Sequence, residues 1–492
     1  MNAVTIYLAI AAYFLVGTAL AILARRGMGK GVEDYFLANR SLGGFVAALT
    51  YSATTYSAFM MVGLAGLTYA GGIGALGFEL IYLSGLVLVA FFGPRFWLVG
   101  KKYSYLTPTE MLGDRYQSKA LAIISAVGSV IFLIPYSAVQ LAGIGTLMEG
   151  LSGGTISYST GLLVALIFTV SWAWLGGMRA VAWTDSLQAL VMITVAVFSV
   201  SFIVSRAFGS FAGLIVAVET KYPSWLAVPG PGYFNTYTFV GLSLPWFFFS
   251  LSNPQVSQRL FVPRSLRQMR IMVLGFLFFG FIYTLISIIW GFSARVLLPD
   301  LPYADAATPH LLALDFVPPV VAIIVMLGIS GAAISTVNSI ILTLSSMVSR
   351  DVFKNIKPNA KEKQELLVGK IFIPLFSFVI LIFASLRLDL IATLSVASSA
   401  GLLVMVPSLV GTFFWERGTA AGAIASIVLG GLIAAWFQFG KLYPLGWWPG
   451  VWSGLVATIS FIVISLCTRP PRQKAKDFLS YLQKATGEKG VI

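Results

Sequence analysis

The chain has 492 residues, 58% of them hydrophobic and only 10% charged, with a mean hydropathy of +0.89 and a net charge of +14. Those values belong to polytopic membrane proteins, and no long polar block is left over for a soluble catalytic domain. A single cysteine (Cys467) and a single histidine (His310) exclude a disulfide framework, a thiolate metal site and histidine-based metal catalysis.

Apolar runs of about 18 or more residues predict thirteen transmembrane helices. They lie at 4–24, 42–69, 73–98, 119–150, 157–175, 184–207, 236–255, 271–296, 318–347, 366–386, 389–414, 418–438 and 450–467. The first lacks a basic region before it and a cleavage site after it, so it reads as a retained span rather than a signal peptide. Arg25-Arg26 follows the apolar run, whereas a twin-arginine export signal would precede it. Runs 119–150 and 318–347 are too long to stand upright and are expected to tilt or bend.

With the N-terminus outside and the links alternating, 27 Lys and Arg fall inside and 5 outside, which together make the 32 of the chain. That split is a strong positive-inside signal. It predicts a multi-pass protein of the cell membrane with its C-terminus cytoplasmic. The charge is thereby explained as orientation, not as nucleic-acid binding, and the basic tail Arg469–Lys489 is expected near anionic lipid heads. Two outer links are long. One, 208–235, holds a Pro-Gly-Pro-Gly run and an expected surface helix at 210–219; the other spans 297–319. Each is either a gate or a passive connector.

Spacing divides the chain further. Residues 1–41 hold the first span and its inner loop. Two five-helix blocks follow, 42–207 and 236–414, separated by the outer link 208–235. The first block enters from inside and the second from outside, so they form an inverted repeat in an all-α membrane protein. Two additional spans (415–467) and the tail (468–492) complete it. Each block opens on an interrupted helix, the arrangement that marks a transporter binding site.

The first interruption is Thr50-Tyr51-Ser52-Ala53-Thr54-Thr55-Tyr56-Ser57-Ala58, with seven hydroxyl side chains in nine residues. A helix that opens its backbone inside a bilayer needs partners for the freed carbonyls, and an ion or a water-lined cavity supplies them. The second interruption is Pro245-Trp246 followed by Ser250-Leu251-Ser252-Asn253-Pro254. Facing the first is Gly331–Ser339, where Ala332, Ser335 and Thr336 share one helical face at i, i+3 and i+4. Neutral oxygens of this kind suit a monovalent hard cation better than Ca²⁺ or Mg²⁺, which recruit carboxylates. Small and hydroxyl residues also let helices pack closely, so spacing alone leaves both readings open.

The segment Gly176-Gly177-Met178-Arg179-Ala180-Val181-Ala182-Trp183-Thr184-Asp185-Ser186-Leu187-Gln188 resembles the signature of the sodium/solute symporter family. That family includes carriers of proline, pantothenate, monocarboxylates and glucose. The resemblance extends over nearly the whole chain. It implies a LeuT-type five-plus-five inverted-repeat fold, a coupling sodium ion, and sodium-site positions at Ala53, Tyr56, Ala332, Ser335 and Thr336. Asp185 is expected at the cytoplasmic start of the sixth helix. There it either complements the helix dipole, with Thr184 as cap, or attracts sodium on its exit path. Arg179 is expected in the loop before it, paired with an acid or a lipid phosphate. One departure is Thr55, where the proline carriers have an Asp.

Solute contacts are expected between the two interruptions. Thr55 and Ser57 come from the first; Trp246, Ser250, Asn253 and Pro254 come from the second. Tyr136 and Gln140 share a face of the fourth helix, although Gln140 also reads as an interhelical hydrogen bond. Glu79 is the one carboxylate deep in an apolar run, and such groups are costly and usually functional. Ser398, with Ser395 and Ser399, is expected to line the eleventh helix.

Together these features predict a secondary active transporter, not an enzyme. It would carry a small organic solute, an amino acid or a monocarboxylate-like compound, with sodium by alternating access. Proton coupling on the same fold, or sodium-coupled carriage of pantothenate or sugar, are the alternatives; a channel or solute sensor fits less well. Expected partners are the solute and the lipid bilayer. No organic cofactor, nucleic acid or obligatory protein partner is indicated.

Overall fold

A computed structural model describes residues 2–25, 29, 31–388 and 391–487. Arg26, residues 389–390 of the run 389–414, and the tail end with Lys489 lie outside the described residues.

Helix α1 (Ala3–Arg25) runs along the outside of the bundle. The next run is delivered in two halves, α2 (Gly44–Thr55) and α3 (Phe59–Gly71), bent by 51°. Then come α4 (Gly74–Tyr103), α5 (Lys119–Leu151), α6 (Tyr158–Leu175) and α7 (Gly177–Phe208). Stacking of Tyr13 and Phe14 on Phe168 and Trp172 fixes α1 against α6. At 33 residues α5 measures about 50 Å, well beyond a hydrocarbon layer of about 30 Å, and it carries Pro135 inside it.

The run 236–255 is broken into α8 (Thr236–Phe247), α9 (Phe249–Ser252) and α10 (Pro254–Ser257). No piece of it exceeds 12 residues. The rest is α11 (Leu266–Leu297), α12 (Pro319–Ile356), α13 (Glu362–Ser385), α14 (Ile391–Phe414), α15 (Ala420–Phe439) and α16 (Pro449–Cys467). Among the described residues 11 helices are long and apolar enough to cross a membrane, and the bent pair makes 12. The thirteenth predicted span is the broken segment α8–α10. Outward-facing Leu274, Phe278, Leu375, Phe378, Leu432 and Trp436 are exposed, as lipid-facing side chains are. Helices α12 and α14 are the most buried, so the hydroxyl-rich face of α12 sits at the centre.

Three placements differ from expectation. The junction of α6 and α7 lies at Gly177 (φ 54°, ψ −161°), seven residues before the predicted start of the sixth span. Only glycine fits there: a Cβ would stand 2.5 Å from the Tyr35 carbonyl oxygen, and the positive φ excludes most side chains. Thr184 and Asp185 therefore lie inside α7 rather than at its N-terminus. Thr184 donates back to the Ala180 and Val181 carbonyls, so it does not cap the helix. Arg179 is also helical, and it pairs with Asp34 at 3.3 Å.

The tail forms α17 (Arg472–Thr486), docked on protein by its apolar face. Phe478, Leu479 and Leu482 are buried, and Phe478 stacks on Tyr103. The link 208–235 does contain a surface helix, Phe211–Lys221.

Candidate functional site

The first break is built by hydroxyls that satisfy the backbone locally. Thr54 and Thr55 donate to the carbonyls of Thr50 and Tyr51, four residues back. At Tyr56 (φ −87°, ψ 97°) the chain leaves the helix, and α3 resumes with a wide π turn over Phe59–Leu64. Ala58 N–H, inside the gap, donates to Gln140 Oε1 at 3.2 Å, while Gln140 Nε2 holds the Tyr136 carbonyl. Ser57 Oγ accepts from Phe59 N–H.

The Ala53 carbonyl faces α12. Ser335 Oγ donates to it at 2.8 Å and Thr336 Oγ1 at 3.2 Å. Both hydroxyls also reach the Ala332 carbonyl, at 2.9 and 3.1 Å. Four neutral oxygens thus converge, and all four residues are buried. Each hydroxyl keeps lone pairs to offer and a proton free to rotate, so the group can turn its oxygens toward a monovalent cation. Tyr56 marks the opening itself. Its ring lies among Tyr82, Phe276, Phe279 and Tyr283, and its hydroxyl rests on Gly280, where a Cβ would collide with it.

One turn further along both helices stands a charged pair. Asp185 Oδ2 accepts from Thr50 Oγ1 at 2.7 Å and from Arg259 Nη2 at 3.4 Å. The same Nη2 donates to Ser339 Oγ at 2.6 Å, and Ser339 lies 3.0 Å from Thr54 Oγ1. Ser339 is one turn from Ser335 on α12, and Thr50 one turn from Ala53–Thr54 on α2, so the pair adjoins the four oxygens. Both charges are buried; Asp185 Oδ1 and Arg259 Nε have no hydrogen-bond partner among the described residues.

The second break faces a packed aromatic cluster. Trp246 packs against Phe59, Phe78, Tyr82 and Phe249, with ring centroids 5.0 to 5.9 Å apart, and its Nε1 donates to Glu79 Oε2 at 3.2 Å. Tyr136 closes on Phe249 from α5. Asn253 (φ −85°, ψ 113°) ends α9, and Pro254 starts α10. The hydroxyls of Tyr51, Tyr56, Tyr82, Tyr136 and Ser250, and Asn253 Oδ1, are buried with no hydrogen-bond partner among the described residues. A cluster of unpaired donors and acceptors on apolar walls is what a small polar solute requires.

Residues 35–430 match the sodium:solute symporter family. The chain belongs to that family. The Escherichia coli sodium/pantothenate symporter is 27% identical over 476 residues, which cover 93% of this chain and 95% of that one. The Haemophilus influenzae sodium/proline symporter is 27% identical over 491 residues, 93% of each chain. Among solved structures, a sodium-coupled sialic acid symporter in a substrate-bound outward-open state shares the fold, with a TM-score of 0.77 and 17% identity over 94% of this chain and 98% of that one. As a family member the chain is a multi-pass, sodium-coupled transporter of LeuT-type fold.

Within this symporter the predicted residues do not all converge. Ala53, Ala332, Ser335 and Thr336 meet directly; Glu79, Tyr136, Trp246, Ser250 and Asn253 belong to the aromatic cluster or to the break beside it; Gln140 and Ser57 brace the first gap. Thr55 is turned onto its own helix. Ser398 bonds the Phe132 carbonyl and ties α14 to α5, while Ser395 and Ser399 bond back along α14. Sequence reasoning missed Arg259, Ser339, Tyr51 and Tyr82. The polar run Gln255-Val256-Ser257-Gln258-Arg259 directly after a broken helix was the available signal for Arg259.

Proposed function

We propose that sodium binds among the oxygens of Ala53, Ala332, Ser335 and Thr336, with the Tyr56 opening as the remaining side, and that the solute binds at the adjoining aromatic cluster, whose rings part to form a chamber around it. The supporting observation is the convergence of two hydroxyls and two carbonyls from α2 and α12 at the point where the first helix opens. A cation there ties the broken helix to α12 and sets the shape of the chamber beside it. Solute and sodium then each favour binding of the other, by the same factor in both directions.

Glu79 and the four phenols offer acceptors, so the solute carries an ammonium or hydroxyl group. A small amino acid or hydroxy acid fits this description, and a pantothenate-like compound, with its hydroxyls, fits it as well. Asp185 lies on the sodium exit path, where its pairing with Arg259 competes with a passing cation. The two inverted repeats are 42–207 and 236–414, rocking against each other in the cell membrane. The face bearing α17 is cytoplasmic, and inward sodium movement contributes about 2.3 kcal/mol per charge per 100 mV.

A thermal-shift screen of the purified chain tests this. It compares sodium with potassium, each with amino acids, short monocarboxylates, pantothenate and sugars. A solute that stabilises only in sodium supports the reading and identifies the substrate. Equal stabilisation in potassium with a strong pH dependence would replace it with proton coupling.

A further inference from the structure

The cleft between the end of α4 and the tail helix α17 is lined by three lysines and one acid among the described residues. Lys102 from α4 and Lys474 and Lys484 from α17 open onto it. The Lys102 ammonium stands 5.0 Å from the Tyr103 ring and 3.9 Å from the Tyr481 ring. Lys474 stands 4.7 Å from the same Tyr103 ring, and its one ion pair is with Asp114 at 2.6 Å. Aromatic faces hold an ammonium group in place without cancelling its charge. Neither Lys102 nor Lys484 forms an ion pair among the described residues. The single acid on the cleft, Asp477, accepts from Gln473 at 3.0 Å, one turn away on α17.

We propose that this cleft is an anion site for a phosphate group, and that its occupation fastens the tail helix to α4. Lys102 and Lys484, which come from two elements and have no ion pair among the described residues, place two ammonium groups that repel one another on one cleft. A phosphate supplies several strong acceptor oxygens and removes that repulsion. Because each element provides part of the site, the anion binds the docked tail and not the released one. An anion held at one hundred times its dissociation constant then favours docking roughly 100-fold.

The consequence reaches beyond the tail. Phe478 contacts Phe413 at the end of α14 as well as Tyr103 of α4, and Lys474 holds Asp114 of the short helix Pro108–Arg115. A fastened α17 therefore links α4 to α14 on this face, and any separation of the two must first release it.

The phosphate has two possible sources, a soluble ion or a lipid headgroup. The test is hydrogen–deuterium exchange of residues 472–486 in the full chain, reconstituted in nanodiscs. The first arm uses phosphatidylcholine discs and replaces potassium chloride by potassium phosphate, then pyrophosphate, at constant ionic strength. The second arm adds phosphatidylglycerol to the discs in chloride alone. A saturable rise in protection in the first arm assigns the soluble ion; a rise confined to the second assigns the headgroup. K102Q/K484Q should abolish the rise while leaving protection in chloride and phosphatidylcholine unchanged. Equal protection in every condition overturns the proposal, as does a rise that survives in the double variant.

Discussion

The two broken helices solve the same problem in opposite ways. At the break between α2 and α3 the backbone is partnered, the Ala53 carbonyl by Ser335 and Thr336 and the Ala58 N–H by Gln140, while the Tyr51, Ser52 and Tyr56 hydroxyls beside it are not, among the described residues. At the break between α9 and α10, Ser250 Oγ and Asn253 Oδ1 themselves are buried and unpaired, beside the unpaired phenols of Tyr82 and Tyr136. The four oxygens at the first break are organised before any ligand arrives, as a site for a spherical ion should be. The second leaves its hydrogen-bonding capacity open, as a site for a solute of particular shape should. Buried polar atoms without partners are costly, so the second break holds part of its energy in reserve for binding.

The largest expected effect tests the charged pair beside the first break. Arg259→Ala leaves Asp185 buried without its counter-ion and should cost about 3–5 kcal/mol, read as a lowered unfolding temperature. Replacing both partners together, Asp185→Asn with Arg259→Gln, should recover most of that loss. Next, Ser335→Ala with Thr336→Ala should raise the half-saturating sodium concentration for uptake at least tenfold, about 1.4 kcal/mol. Solute affinity at saturating sodium should change little in that variant. Unchanged sodium dependence would remove the assignment of the ion site. Gln140→Leu removes the acceptor of Ala58 N–H and should destabilise by about 1–2 kcal/mol in denaturant titration.

The smallest stability effect is also the sharpest test of the contrast. Ser250→Ala should shift stability by less than about 0.5 kcal/mol, because its hydroxyl loses no hydrogen bond of good geometry, only its proximity to the Tyr51 hydroxyl. Solute KM should nevertheless rise. If Ser250→Ala instead destabilises the protein as much as Ser335→Ala alone, the two breaks do not differ in the way described.

The contrast was partly legible in the sequence. Ala332, Ser335 and Thr336 share a helix face by spacing alone, and seven hydroxyls around Ala53 marked the place of the opening. The solute chamber was harder to read, because Tyr51 and Tyr82 sit in apolar runs where an aromatic ring serves equally well against lipid. Arg259 was hidden by its neighbours: with Arg264, Arg267 and Arg270 it resembled the charge of an inner loop. Its partner lies 74 residues away and its role depends on three helices meeting. The start of α7 was misplaced because Arg179 and Asp185 interrupt the apolar run. Their counter-ions, Asp34 and Arg259, come from distant segments that no local pattern reveals.

The bend at Gly177 works as a ruler. Asp185 lies eight residues past it, a rise of about 12 Å along α7. Tyr35 presses on the bend from outside and leaves no room for a side chain there, so the origin of that measurement cannot slide. The depth and direction of the acid are thus counted in residues from a fixed point. One residue inserted between Ala180 and Thr184 would swing Asp185 by about 100°, away from Arg259 and Thr50, with every side chain of the site still present.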